Sequence, residues 1–204
     1  SIASKRATSF PACRRTDAAR PGLHSLPKFQ GCPRGPGVDC GAVSQLRIAM
    51  VIDAWDDANN GAVVSTRRFV QILRERGHVV EILATGAAAP GKVPLRSFVI
   101  PTPGNIMEKM RLPFAWPDRR ILEEVIGRQD VVHNQFPFYL GMKAIGVARR
   151  AGIPVVSTFH VQAEHLLHNV GIRNATAVDW VYRFFLRTTY NRSDAVLCPS
   201  AFAE

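Results

Sequence analysis

Residues 46–77 read LRIAMVIDAWDDANNGAVVSTRRFVQILRERG. An apolar strand runs into a polar turn, which closes on Asn60-Gly61 and opens directly into a helix. In an open α/β sheet such a first turn brings backbone N–H groups, and the positive end of a helix dipole, to where a phosphate can sit. A phosphorylated ligand is therefore the first expectation. The turn carries neither the GxGxxG spacing of dinucleotide-binding enzymes nor the Lys-Ser/Thr of a P-loop.

Outward from this unit the pattern keeps alternating. Apolar, β-branched-rich runs at 46–52, 79–84, 97–100, 130–132, 154–158 and 195–198 are continuous, as parallel strands covered on both faces require. Helices are predicted over 62–76, 117–126, 140–150 and 178–191, with Gly77, Gly127 and Gly152 each placed to end one in a left-handed conformation. Pro117 falls near a helix start, where its missing N–H costs nothing. The fold class expected is α/β, a Rossmann-like doubly wound and mainly parallel sheet.

The first 45 residues differ in kind. They scatter Pro, Gly, Ser and Arg without helical or strand period, and read as a disordered basic tail ahead of a domain over 46–204. Without an initiator Met or the apolar core of a secretion signal, the chain reads as a fragment or an extended translation product. The tail holds seven Lys and Arg against two Asp, so half of the formal net charge of +10 lies outside the domain. With no aromatic interleaving and no zinc spacing, the tail reads as solvated and nucleic acid is not expected as a partner. The domain's own excess favours anionic partners, phosphates or an acidic membrane surface.

Cysteine usage points to a reduced, cytoplasmic setting. Cys13, Cys32 and Cys40 lie in the tail without CxxC spacing, and Cys198 reads as a small core residue of an apolar strand. The longest run free of Asp, Glu, Lys and Arg is the thirteen residues 151–163, short of the roughly 20 needed to cross a bilayer.

Ligands of such sheets bind beyond the carboxyl ends of the strands, and three strands here end in polar groups. The first delivers Asp53 and then Asn60-Gly61; the fourth delivers His133, Asn134 and Gln135; the fifth delivers Ser157, Thr158 and His160, then Gln162, Glu164 and His165. Imidazole, amide and carboxylate groups at one rim suit a hydroxyl-rich substrate such as a sugar, and a site that titrates near neutrality. Several have structural alternatives. Gly61 either permits the turn or lets a phosphate approach, Asn60 either caps the helix or binds ligand, and His133 either bonds backbone or faces the site. His160, at the rim after an apolar strand, is the residue we assign to catalysis. His160, His165 and His168 match no common zinc spacing, so no metal is expected. Arg67 and Arg68, in the second turn of the first helix, are expected to face water.

At these residues a family emerges. LRIAMVIDAWDDANNGAVVSTRRFVQILRERGHVVEILA, then DVVHNQFPFYLGMKAIGVARRAGIPVVSTFHVQAEH, then SDAVLCPSAFAE together resemble the amino-terminal half of family-four glycosyltransferases of the GT-B fold. The Asn-Gly turn, Arg-Gly-His-Val junction, Gly-Ile-Pro-Val-Val strand, Thr-Phe-His and Cys-Pro-Ser carry the likeness by their order. The resemblance implies a retaining transfer from a nucleotide sugar, UDP- or GDP-linked, to an acceptor hydroxyl, without a protein cofactor or an obligatory metal. It implies that Gly61 approaches the donor diphosphate or the acceptor, and that His160 lines the reaction centre. Asp53, Asn60, His133 and Glu164 complete the expected binding set. The family's second Rossmann-like domain, which carries the nucleotide and an acidic ExxxxxxxE motif, would follow residue 204, so this chain should not turn over alone.

Similar proteins often glycosylate membrane lipids, which makes diacylglycerol or a phosphoinositol-type lipid the expected acceptor and a peripheral position at the inner face of a membrane the expected location. The stretch 105–116, NIMEKMRLPFAW, suits a loop that dips into lipid or one that packs on the domain. Two other classes stay open: a catalytically idle nucleotide-sugar or phosphate binding module, and another Rossmann enzyme. A nicotinamide enzyme calls for a glycine fingerprint and an acidic end to the second strand, which instead ends Ala84-Thr85-Gly86.

Overall fold

The computed structural model describes residues 44–57, 60–98 and 113–198. The chain divides into two units, 1–43 and 44–204, and the first lies outside the described residues, together with Cys13, Cys32 and Cys40.

In the described unit the elements run β1 (Arg47–Val51), α1 (Gly61–Glu75), β2 (Val79–Thr85), β3 (Lys92–Leu95), β4 (Ser97–Phe98) and β5 (Phe114–Ala115). There follow α2 (Arg119–Ile126), β6 (Val131–Asn134), α3 (Tyr139–Arg150), β7 (Val155–Thr158), α4 (Ala163–Asn169), α5 (Ala175–Thr188) and β8 (Ala195–Leu197). Six strands form one sheet in the order β3-β2-β1-β6-β7-β8, every neighbouring pair parallel. The order reverses between β1 and β6, and this switch point is where an open α/β sheet leaves a crevice.

Alternation along β1 builds both layers. Ile48, Met50 and Ile52 face an apolar cluster with Val63 and Val70 of α1, whereas Ala49 and Val51 face a second cluster with Leu122 of α2 and Leu140 and Ala144 of α3. A third cluster joins Ala163 of α4 to Val181 and Phe185 of α5.

α1 forms because Val63, Thr66 and Val70 recur at helical spacing on its buried face. The Asn60 side chain caps it by accepting from the Ala62 N–H, and Gly77, at φ +86°, turns the chain out at the other end.

Four expectations need correction. The third place in the sheet belongs to β3, not to residues 97–100; Ser97–Phe98 pairs antiparallel with β5 instead. Pro94 hides β3 in the sequence, and the sheet tolerates it because β3 is an edge strand. Gly127 ends α2 at φ −59°, in ordinary helical backbone, although Gly152 does adopt φ +71°. Pro117 lies outside α2, whose cap is Asp118, its side chain accepting from Arg120 N and Ile121 N. Cys198 is half-buried beside a strand whose three residues are all exposed, so it is no core residue.

Candidate active site

The site is built by four elements meeting at the switch point. Register sets Val51 opposite Asn134, and Asn134 opposite Ser157, so β1, β6 and β7 end side by side. Gln135 continues β6 by donating its backbone N–H to Val51 O at 2.9 Å.

Gln135 and His160 then meet directly. His160 Nε2 lies 3.1 Å from Gln135 Oε1, and Thr66 Oγ1 of α1 lies 3.2 Å from the same oxygen. The Gln135 amide nitrogen points the other way, to Met50 Sδ at 3.0 Å. Ala62 and Val161, neighbours of Gly61 and His160, pack against the same apolar cluster. The Asn60-Gly61 turn and His160 therefore occupy one end of the sheet, on the α1 face.

Gly61 opens α1 with free space around the position a Cβ would take, and its φ is not in the left-handed region. The turn itself therefore does not require glycine. No acidic residue occupies the first turn of α1, at the positive end of the helix dipole.

His133 lies beneath this rim. It is buried, its Nε2 is 2.8 Å from Thr158 Oγ1, and the edge of its ring meets Phe69 at 5.3 Å. Burial, with the nearby His160 as a lesser cause, pulls its pKa down to about 4. Burial also lowers that of His160. Burial thus favours the neutral form of both imidazoles.

Asp53 is 2% exposed and its Oδ1 accepts from the Ala115 N–H at 2.9 Å, tying β1 to β5. Burial pushes its carboxyl up to about 7, against a smaller lowering by that hydrogen bond. Glu164 stands apart in the first turn of α4, where it accepts the Tyr182 hydroxyl and borders a shallow groove with His165, His168, Ile172, Arg173 and Val178. The structure thus brings Asn60, Gly61 and His160 to one rim, places His133 and Asp53 inside the protein, and sets Glu164 on the neighbouring α4–α5 surface.

Arg67 overturns its expectation. Its Nη2 donates to Trp55 O at 2.6 Å and its guanidinium lies 5.3 Å from the Trp55 ring centre, so it braces the β1–α1 turn instead of facing water. Arg68 is exposed. Lys92 braces the same turn from β3: its ammonium is buried and bonds both oxygens of Asp56 at 2.9 Å. Thr66 is not among the candidate residues above; its signal in the sequence is a hydroxyl between Val63 and Val70 on the buried stripe of α1. Among the described residues no cluster of His, Cys, Asp and Glu is arranged to hold a metal ion.

A Rossmann-like parallel sheet with a helix start free of acidic first-turn residues and a half-buried histidine at its switch point defines a doubly wound α/β domain. Within that class, the family model for Glycosyltransferase Family 4 matches residues 59–204, and the chain belongs to that family. It is 28% identical over 171 residues to an alpha-monoglucosyldiacylglycerol synthase of Streptococcus pneumoniae, covering 76% of this chain and 35% of that protein. It is 27% identical over 164 residues to a GDP-mannose-dependent alpha-mannosyltransferase of Mycolicibacterium smegmatis, covering 78% of this chain and 43% of that one. The matched stretch thus covers less than half the length of either curated relative.

Proposed function

We propose that the complete protein is a retaining glycosyltransferase that moves a sugar from a UDP- or GDP-sugar to an acceptor hydroxyl, and that this domain supplies the acceptor side of its cleft. The observation that carries the proposal is Gly61: a glycine the fold does not need, at the start of a helix free of acidic first-turn residues, at the same end of the sheet as His160. Backbone at that point can approach a phosphate without a side chain intervening, and the helix dipole stabilises the charge that develops on the leaving diphosphate. One preorganised donor of this kind contributes about 3 kcal/mol to lowering a barrier. No cofactor enters the proposal, and the sugar nucleotide is a substrate.

The acceptor we infer is a membrane lipid of the diacylglycerol or phosphoinositol type. One relative is named for monoglucosyldiacylglycerol, and the other is named as dependent on GDP-mannose. We propose peripheral contact with the inner, anionic face of a membrane; no helix among the described residues is long and apolar enough to cross one. α5 offers a surface suited to that contact: Trp180, 65% exposed, stacks on Phe184, with Arg183 and Arg187 nearby on the helix. Most of the stretch 105–116 lies outside the described residues.

The test is an assay of the full reading frame with UDP- and GDP-sugars against extracted lipids. His160→Ala should lower transfer at least tenfold in a folded protein. Gly61→Ala should leave stability within roughly 1 kcal/mol of wild type, since the space is open and Ala is the better helix former, while lowering kcat/KM about a hundredfold. Near-normal turnover in both variants removes Gly61 and His160 from the site, and sugar-nucleotide binding without transfer in the wild type overturns the proposal and makes the protein a binding module.

A further inference from the structure

We infer that Gln135 is a positioning residue that fixes the tautomer of His160, so that the imidazole presents an acceptor nitrogen to its ligand. Gln135 is 2% exposed, and Met50 sets the orientation of its amide: the thioether Sδ has no proton and can receive only from the NH2 group, at 3.0 Å, which turns Oε1 toward Thr66 and His160. An amide oxygen has no proton to give. The group facing it at 3.1 Å must therefore be an Nε2–H, and a neutral imidazole protonated at Nε2 carries its lone pair on Nδ1.

The Thr66 hydroxyl supports the same oxygen. Its single proton is directed chiefly to Ala62 O at 2.7 Å, the longer 3.2 Å approach to Gln135 Oε1 completing a fork. The ring is also held by the Phe136 edge, with centroids 6.3 Å apart. Among the described residues Nδ1 of His160 has no hydrogen-bond partner, so it remains to accept from a hydroxyl. A sugar or acceptor alcohol is a ligand of that chemistry, whereas a bare phosphate oxygen, itself an acceptor, is not. The geometry thus separates two roles at one rim: the start of α1 for the anion, and the His160 imidazole for a hydroxyl.

The tautomer follows from the structure alone, and only its consequence for turnover rests on the proposed sugar transfer. Two measurements keep these apart. In ¹⁵N-labelled chain at pH 7.5, long-range ¹H–¹⁵N spectra, with the His160 signal assigned by its loss in His160→Ala, should show the Nε2–H form in wild type. Gln135→Leu should shift it toward a mixture or the Nδ1–H form, and Gln135→Glu, which keeps an acceptor oxygen, should restore it. In the complete protein, Gln135→Leu should lower kcat roughly ten- to hundredfold with KM for the sugar nucleotide changed less than twofold, and Gln135→Glu should recover most of the loss. A His160 tautomer unmoved in Gln135→Leu overturns the inference. So does a moved tautomer with kcat intact. A wild type that does not transfer sugar at all defeats the functional reading, and the spectra still decide whether Gln135 sets the tautomer.

Discussion

Asp53 and His133 are both buried at the strand ends, and burial moves them in opposite directions, Asp53 up to about 7 and His133 down to about 4. An aspartate whose pKa is raised on folding holds its proton where the unfolded chain has released it. Its contribution is therefore present below about pH 4 and lost as pH rises through 7. A histidine whose pKa is lowered does the reverse: its contribution is complete above about 6.5 and lost as pH falls toward 4. Between pH 4 and 6.5 the two slopes oppose each other. Asp53→Asn, which keeps an oxygen for the Ala115 N–H, should gain on wild type by on the order of 3 kcal/mol as pH rises from 4 to 7.5, read by urea denaturation at each pH. Parallel stability curves for the two proteins would mean that Asp53 keeps ordinary carboxylate acidity. The sequence singled out both residues, but a strand-end side chain can point to the rim or into the core. Only the pairing of β5 with β4, and the Ala115 N–H it brings to Asp53, turned that carboxyl inward.

At the level of elements, α3 approaches the sheet closely enough to exclude a methyl group. A Cβ on Gly141 would lie 2.3 Å from Phe136 O and 2.4 Å from Asn134 Oδ1, a backbone atom and a buried side chain with little room to move. Gly141→Ala should therefore cost about 3 kcal/mol, or prevent folding, where Gly61→Ala is tolerated. Chemical denaturation of the two variants checks the contrast, and equal stabilities would refute it. The two glycines look alike in the sequence, since each sits in the first turn of a helix after a strand. Their difference is one of neighbours: Gly61 faces open space, Gly141 the carbonyl of its own strand exit. The missed β3 and α4 have similar explanations. Pro94 breaks the strand pattern although an edge position forgives it, and α4 is seven residues long with no side-chain cap at Gln162 to announce it.

Across the whole described unit, burial is graded along the sheet. β1, between β2 and β6, is buried from Ile48 to Val51, whereas β8 at the edge is exposed at all three residues, with Val196 and Leu197 each 40% exposed. Native-state amide exchange should be slowest in β1 and β6 and fastest, among the strands, in β8. Uniform protection across the six strands would contradict this gradient.

The sequence by itself determined the alternation of strands and helices, the Rossmann-like class, the caps at Asn60 and Gly77, and the sheet end at which the polar residues gather. These follow from period, chain reversal and turn chemistry, all local in the chain. The tertiary structure decided which of those polar groups reach the rim, that Arg67 and Lys92 brace the first turn, and that Gln135 joins Thr66 to His160. These depend on contacts across 12 to 69 residues of sequence, where register and packing select the partner and no local pattern encodes it.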